Sequence, residues 1–105
     1  VPLLQSLTLN LTQSHFGDDG VQALVPLWAA PQLQSLALNL AESNIGNEGA
    51  VAIAQLSDAP ALRSLDIDLR GNRVGDAGAK SLVQLCDAPN LRALTLTLTA
   101  NAIGQ

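Results

Sequence analysis

The sequence predicts an α/β fold: a curved, right-handed solenoid of strand–turn–helix units, with a parallel sheet on the concave face and helices on the convex face. Proline recurs every 29 residues, at Pro2, Pro31, Pro60 and Pro89, and a fixed period of this length is typical of repeat architectures. Within each period, apolar residues first alternate and then follow a spacing of three and four. The chain is 48% hydrophobic with only 2% aromatic residues, which suits stacked aliphatic layers.

The period divides a single domain, residues 1–105, into units 2–30, 31–59 and 60–88 and a partial unit 89–105. Columns of leucine and isoleucine run through the units: Leu7, Leu36, Leu65 and Leu94, then Leu9, Leu38, Ile67 and Leu96, then Leu11, Leu40, Leu69 and Leu98. One unit cannot bury its apolar face alone, so stacked neighbours are expected to share one continuous core.

The first segment of each unit is predicted to be a strand, because its apolar residues alternate strictly in LTLNLT, LALNLA, LDIDLR and LTLTLT. The outward positions then form three columns on the concave face. These columns are Thr8, Ala37, Asp66 and Thr95, then Asn10, Asn39, Asp68 and Thr97, then Thr12, Ala41, Arg70 and Thr99. The third column predicts a strand lengthened by roughly two residues, about 6.6 Å.

The second segment of each unit is predicted to be a helix, because its apolar residues are three and four apart. Asp18, Asn47 and Asp76 come directly before these segments and are predicted N-caps, whose oxygens accept from unpaired backbone N–H groups. Ala-Pro pairs are predicted to end each helix, since the residue before proline avoids the helical conformation.

The concave columns are the first candidate binding surface, because repeat proteins present varied side chains on this rigid face. The candidate contact residues are Thr8, Asn10, Thr12, Asn39, Asp66, Asp68, Arg70, Thr95 and Thr97. The alternative is that they are solvated polar residues that a strand tolerates.

The convex helices are the second candidate surface. Apolar residues occupy positions that we expect to face outward, at Val21, Val25, Trp28 and Val51, and a helix that is apolar all round normally packs against something. The alternative is that alanine-rich helices reflect helix propensity alone.

Other functional classes are not predicted. A net charge of −4 with five basic residues disfavours nucleic-acid binding, and no apolar run approaches the ~20 residues of a membrane span. Asp66 and Asp68 share a face, but a flat sheet splays ligands apart from a metal ion. Ser14, His15 and Asp18 are close in sequence without the convergent geometry of a catalytic set. No catalytic, cofactor-binding or metal-binding residues are predicted.

With these columns, the chain resembles the leucine-rich repeats over its whole length, and among them the ribonuclease-inhibitor-like class. The best matching stretch runs from Leu65 to Leu82. The asparagine column of the family is kept at Asn72 and Asn101 and replaced by Ser14 and Ser43. Because serine is shorter, those two turns are expected to be looser or to rely on water.

The resemblance and the lack of a catalytic set together predict a non-catalytic protein-binding or scaffolding module, a structural component of a larger assembly. No polar cap is recognisable at either end, which predicts a longer array or neighbouring subunits that cover the ends and the apolar helices. The alternatives are a regulatory or recognition segment of a longer multidomain protein, and Thr and Asn columns that bind ice or a polysaccharide surface.

Overall fold

The computed structural model describes residues 5–13, 15, 17–28, 33–58, 61–88 and 91–102. Within them, strands and helices alternate along the chain: β1 (Ser6–Asn10), α1 (Gly17–Trp28), β2 (Ser35–Asn39), α2 (Asn47–Ala54), β3 (Ser64–Asp68), α3 (Asp76–Val83) and β4 (Ala93–Thr97). Helices α2 and α3 continue directly into 3₁₀ segments at Gln55–Asp58 and Gln84–Asp87.

The strands form one parallel sheet in the order β1-β2-β3-β4. The register joins residues 29 apart, so that Leu36 pairs with Leu7 on one side and with Leu65 on the other. Parallel strands need a crossover connection, and the helices supply it. The structure thus confirms the predicted α/β solenoid. We call the surface that faces away from the helices the open sheet face; its residues are Thr8, Asn10, Ala37, Asn39, Asp66, Asp68, Thr95 and Thr97.

The core lies between the sheet and the helices and is deepest in the two middle units. Leu36, Leu38 and Leu40 are buried, whereas their equivalents Leu7 and Leu94 in the outer strands are only partly buried. Each unit of a solenoid touches only its neighbours, so a middle unit is covered on both sides.

Asn72 joins two units through the turn that follows β3. Its Oδ1 accepts from the backbone N–H groups of Ser43 and Ile45, at 3.0 and 2.9 Å. Its Nδ2 donates to the carbonyls of Leu40 and Leu69, both at 2.9 Å. The side chain is only 6% exposed, and one buried amide therefore satisfies backbone groups that would otherwise be unpaired.

Ser43 occupies the same position one unit earlier and keeps part of this pattern. Its Oγ lies 2.8 Å from the carbonyl oxygen of Leu11 and 3.2 Å from that of Ala41, and its single hydrogen donates to one of them at a time. The side chain has no exposed surface, so the expectation of a looser or water-dependent turn is wrong for Ser43. Ser14, the other serine in this column, lies outside the described residues.

Two of the predicted N-caps, Asp18 and Asn47, accept hydrogen bonds from the start of the next helix. Gly46 and Gly75 occupy the N-cap positions of α2 and α3, and their backbone is extended. Glycine has no side-chain oxygen, so neither residue caps its own helix. The backbone N–H of Gly46 donates to Asp18 Oδ1 at 2.7 Å. The N–H groups of Gly75 and Gly78 donate to Asn47 Oδ1 at 2.8 and 2.9 Å. Each cap therefore fastens two neighbouring helices together.

This arrangement explains why glycine recurs 29 residues apart, at Gly49 and Gly78. A Cβ at Gly49 would lie 2.5 Å from Asp18 Oδ1 and 2.7 Å from Ile45 Cγ2. A Cβ at Gly78 would lie 2.7 Å from Asn47 Oδ1. All three distances are shorter than a non-bonded contact allows, so glycine leaves the room that the capping side chain occupies.

We predict that Asn72→Ala lowers the free energy of unfolding by roughly 2–4 kcal/mol, because several buried backbone groups lose their partner. Ser43→Ala is expected to cost less, since a hydroxyl donates only one hydrogen. Urea unfolding followed by circular dichroism measures both, with the exposed Gln84→Ala as control. Equal losses at positions 72 and 43 would contradict the inference.

A double-mutant cycle tests the crowding at Gly49. Gly49→Ala is expected to destabilise the chain despite the helix propensity of alanine, and to cost about 1–2 kcal/mol less when Asp18→Ala is also present, since contacting residues couple by this amount. Chemical denaturation of the four proteins gives the coupling energy. Additive effects would show that the Asp18 carboxylate does not restrict position 49.

Candidate functional site

The open sheet face consists of two rows that run across all four strands. The register places Thr8, Ala37, Asp66 and Thr95 side by side in the first row, and Asn10, Asn39, Asp68 and Thr97 in the second. A shallow hollow of about 460 Å³ extends over both rows. No side chain in either row is longer than that of Asp or Asn, so a partner can approach the sheet closely.

The second row is partly used by the fold itself. Asn10 Oδ1 accepts from the backbone N–H of Thr12 at 3.1 Å, and Asn39 Oδ1 accepts from that of Ala41 at 3.2 Å. Asp68 Oδ1 accepts from the N–H of Arg70 at 3.1 Å. A side chain that binds the backbone two residues later forms an Asx-turn, and these turns bend the chain where the strands end.

The turns correct the predicted length of the strands. Strands β1 and β3 end at Asn10 and Asp68, so Thr12 and Arg70 lie in turns and not on the sheet. Ala41, which belongs to the same predicted column, is buried. The predicted lengthening of the strands is therefore wrong, because the Asn and Asp oxygens take the backbone N–H two residues ahead.

Asp68 is also the partner of an arginine. Arg70 Nε lies 3.0 Å from Asp68 Oδ1, with the two side chains 57% and 22% exposed. An exposed pair of this kind adds little to stability, but it places a positive charge beside the Asp68 carboxylate. Arg63, which directly precedes β3, forms no ion pair within the described residues.

Asp66 differs from Asp68, the other acidic residue of the open sheet face. It is exposed, and its lateral neighbours are Ala37 and Thr95. No hydrogen bond or ion pair joins its carboxylate to another described residue. The centre of the first row thus carries one free negative charge between two short side chains.

The predicted convex surface is only partly exposed. Val21 and Val25 are 0% and 7% exposed, so the prediction that they face outward is wrong. They are buried because parallel helices pack side by side along the solenoid. Val51 is 45% exposed, as expected. The side chain of Trp28 lies outside the part of the chain whose side chains the structure describes.

Val83 was not predicted and is the most exposed large apolar residue among those described, at 59%. Its equivalents in the earlier units, Val25 and Ala54, are buried. The spacing of 29 residues identifies these equivalents, but burial depends on whether another helix packs beside the position.

A groove of about 690 Å³ lies between α1 and the segment formed by α2 and its 3₁₀ continuation. Its lining residues are Gln22, Val25, Pro26, Glu48, Val51, Ala52, Gln55 and Asp58. The sequence did not indicate this groove, because its walls come from different units.

Charge is distributed unevenly over the two sides of the solenoid. The helices and 3₁₀ segments hold six acidic residues, Asp18, Asp19, Glu48, Asp58, Asp76 and Asp87, and one basic residue, Lys80. The strands and turns hold Glu42, Asp66 and Asp68 against Arg63, Arg70, Arg73 and Arg92. All charged residues of the chain lie in its described part, so the net negative charge belongs to the helical side.

Within the described residues, no group of His, Cys, Asp and Glu is arranged to hold a metal ion. Asp18, considered above with His15 as part of a catalytic set, accepts a hydrogen bond from the backbone of Gly46. No described helix is both long enough and apolar enough to cross a membrane.

Comparison with known proteins identifies the repeats. A comparison with curated proteins finds no match to the chain. A family model described as Leucine Rich repeat matches residues 4–25, 34–54 and 62–83. Each match covers the strand of one unit and most of its helix, and together the matches span well over half of the chain. The chain therefore belongs to the leucine-rich repeat family, whose repeats commonly mediate binding between proteins.

Proposed function

We propose that this chain is a non-catalytic protein-binding module that forms a structural component of a larger assembly. We also assign it to the ribonuclease-inhibitor-like class with 29-residue repeats. The strand register, which pairs residues 29 apart, supports this assignment. The alternation of strands and helices supports it too, because α1, α2 and α3 follow β1, β2 and β3 in turn.

The free carboxylate of Asp66 is the observation that carries the binding role. A carboxylate at the centre of a hydrogen-bonded sheet is held in place without a counter-charge among the described residues. Its short neighbours Ala37 and Thr95 leave space for a planar guanidinium or an ammonium group above the strands. Charge-assisted hydrogen bonds to a carboxylate are stronger than neutral ones, so we infer a partner that presents Arg or Lys to this face.

The same row disfavours a repetitive lattice as the ligand. Ala37 and Asp66 separate Thr8 from Thr95, and three strand spacings of ~4.8 Å keep the two threonines about 14 Å apart. A protein surface with one matching basic side chain fits this irregular row better than a lattice of evenly spaced hydroxyl groups.

The assembly role is supported by the outer strands. Leu7 and Leu9 in β1 and Leu94 and Leu96 in β4 are only partly buried, although the same columns are buried in β2 and β3. Further repeats or a neighbouring subunit stacked on these strands would bury that apolar surface, at a gain of about 25 cal/mol per Å².

We predict that Asp66→Asn weakens binding of peptides that the chain selects from a displayed random library. The selected peptides are expected to be rich in Arg and Lys. The substitution is expected to weaken their binding about three- to ten-fold, since it removes one charge-assisted contact. Fluorescence anisotropy at two salt concentrations measures the change. Because Asp66 forms no bonds within the described fold, the thermal unfolding midpoint is expected to stay the same.

Asp87→Asn is the matched control, because it removes the same charge from the exposed 3₁₀ segment that follows α3. Peptides without basic residues, or peptides that lose equal affinity with both variants, would contradict recognition through Asp66.

A further inference from the structure

We propose that the groove between α1 and α2 is a second docking surface, and that it binds a basic amphipathic helix of a partner protein. This inference does not depend on the role proposed for Asp66, because the groove lies on the opposite side of the sheet.

The groove lies between two units whose helical segments differ. Helix α1 is helical without interruption from Gly17 to Trp28, whereas α2 ends at Ala54 and continues as a 3₁₀ segment from Gln55 to Asp58. A 3₁₀ segment rises about 2.0 Å per residue against 1.5 Å in an α-helix, so the two walls differ in backbone geometry over their second halves. The next interhelical space, where both walls end in 3₁₀ segments, holds a hollow of only about 160 Å³.

The floor of the groove is apolar, while the exposed side chains of Gln22 and Gln55 stand on its flanks. Val25 and Ala52 are buried at its base, and Val51 and Pro26 are exposed along it. Small and β-branched side chains of this kind leave a smooth channel, and a third helix laid into such a channel buries one apolar stripe. Val51 is the exposed apolar anchor of this surface.

Two carboxylates mark the ends of the groove. Glu48 lies in the first turn of α2 and Asp58 at the end of the 3₁₀ segment, and both are exposed. Neither forms an ion pair within the described residues. The ten residue steps from Glu48 to Asp58 span about 16 Å, which equals about eleven residue steps of an α-helix. Basic residues at positions i and i+11 of a partner helix fall on one face and reach both carboxylates.

Charge decides between the possible occupants. The groove is lined by two acidic residues and no basic one, and Lys80, the one basic residue of the helical side, lies on α3 outside it. A second copy of the chain that presented its own helical side would bring acidic residues against this groove and be repelled. The arginines of a second copy lie in turns and in segments next to strands, which offer no helix with an apolar stripe. An acidic helix would be repelled likewise, whereas a basic amphipathic helix complements both the charges and the apolar floor.

The test uses a synthetic fourteen-residue helical peptide with blocked ends. Lysines stand eleven residues apart, valine and alanine stand between them on the same face, and glutamines fill the rest. A second peptide has glutamates in place of the lysines. The lysine peptide is expected to bind saturably with a Kd below about 1 mM, and to shift the amide resonances of Val51, Ala52 and Val25. The glutamate peptide is expected to bind at least ten-fold more weakly.

Substitutions then locate the site. Glu48→Gln combined with Asp58→Asn is expected to weaken the lysine peptide about three- to ten-fold, since exposed charge pairs contribute modestly. Val51→Lys is expected to abolish saturation. Asp87→Asn lies outside the groove and is expected to change the Kd less than two-fold. Asp66→Asn is measured beside it, because it separates binding in the groove from binding on the open sheet face. Circular dichroism confirms that each variant is folded.

The inference is overturned if the lysine peptide does not saturate, if both peptides bind equally, or if Asp87→Asn weakens binding as much as the double substitution. A loss confined to Asp66→Asn would assign the peptide to the open sheet face and would also overturn it, while leaving the function proposed for that face intact.

Discussion

The whole structure depends on hydrogen bonds that cross from one unit to the next. Asn72 satisfies backbone groups of the second and third units at once, and Asn101 repeats this between the third and fourth by accepting from the N–H of Val74 at 3.0 Å. Asp18 and Asn47 do the same at the helix starts. Backbone groups of one unit thus find their hydrogen-bond partners in the next unit. The stability of a solenoid accordingly depends on the contacts between neighbouring units.

These constraints also determine which side chains remain available for a partner. On the open sheet face, the Asn and Asp oxygens of the second row close the turns, and Arg70 pairs with Asp68. Asp66 faces the same way, but its carboxylate forms no hydrogen bond or ion pair with another described residue. Asp66 lies two residues before the turn-forming Asp68. A substitution at such a position removes no hydrogen bond of the fold, so its side chain is available for a partner.

The period of 29 residues made the sheet, the helices and the leucine columns predictable, because each follows from alternation or spacing within one unit. Burial between units was not predictable in this way. Val25 and Val83 occupy equivalent positions, yet one is buried and the other exposed, since only a neighbouring helix distinguishes them. The capping by Asp18 was placed on the wrong helix for the same reason: the residue type indicated a cap, but its acceptor oxygen serves a unit 28 residues away. The exposed position of Asp66 on the sheet agrees with the sequence pattern, whereas Thr12 and Arg70 lie in turns; the binding role of these residues stays a prediction.

The acidic helical side has a physical origin in the helices themselves. All three run in the same direction along the solenoid, so their N-termini lie at one edge, where positive ends of the helix dipoles add up. Asp18, Asp19, Glu48 and Asp76 stand in the first turns and offset those dipoles at short range. Asp58 and Asp87, however, stand at the ends of the 3₁₀ segments that follow α2 and α3. The negative end of a helix dipole lies there and favours a cation. Helix stabilisation therefore accounts for the acidic residues at the first turns and leaves those at the far ends without a folding role. The carboxylate at position 58 lies on the wall of the groove, where a basic helix would give it the counter-charge that the α2 segment lacks.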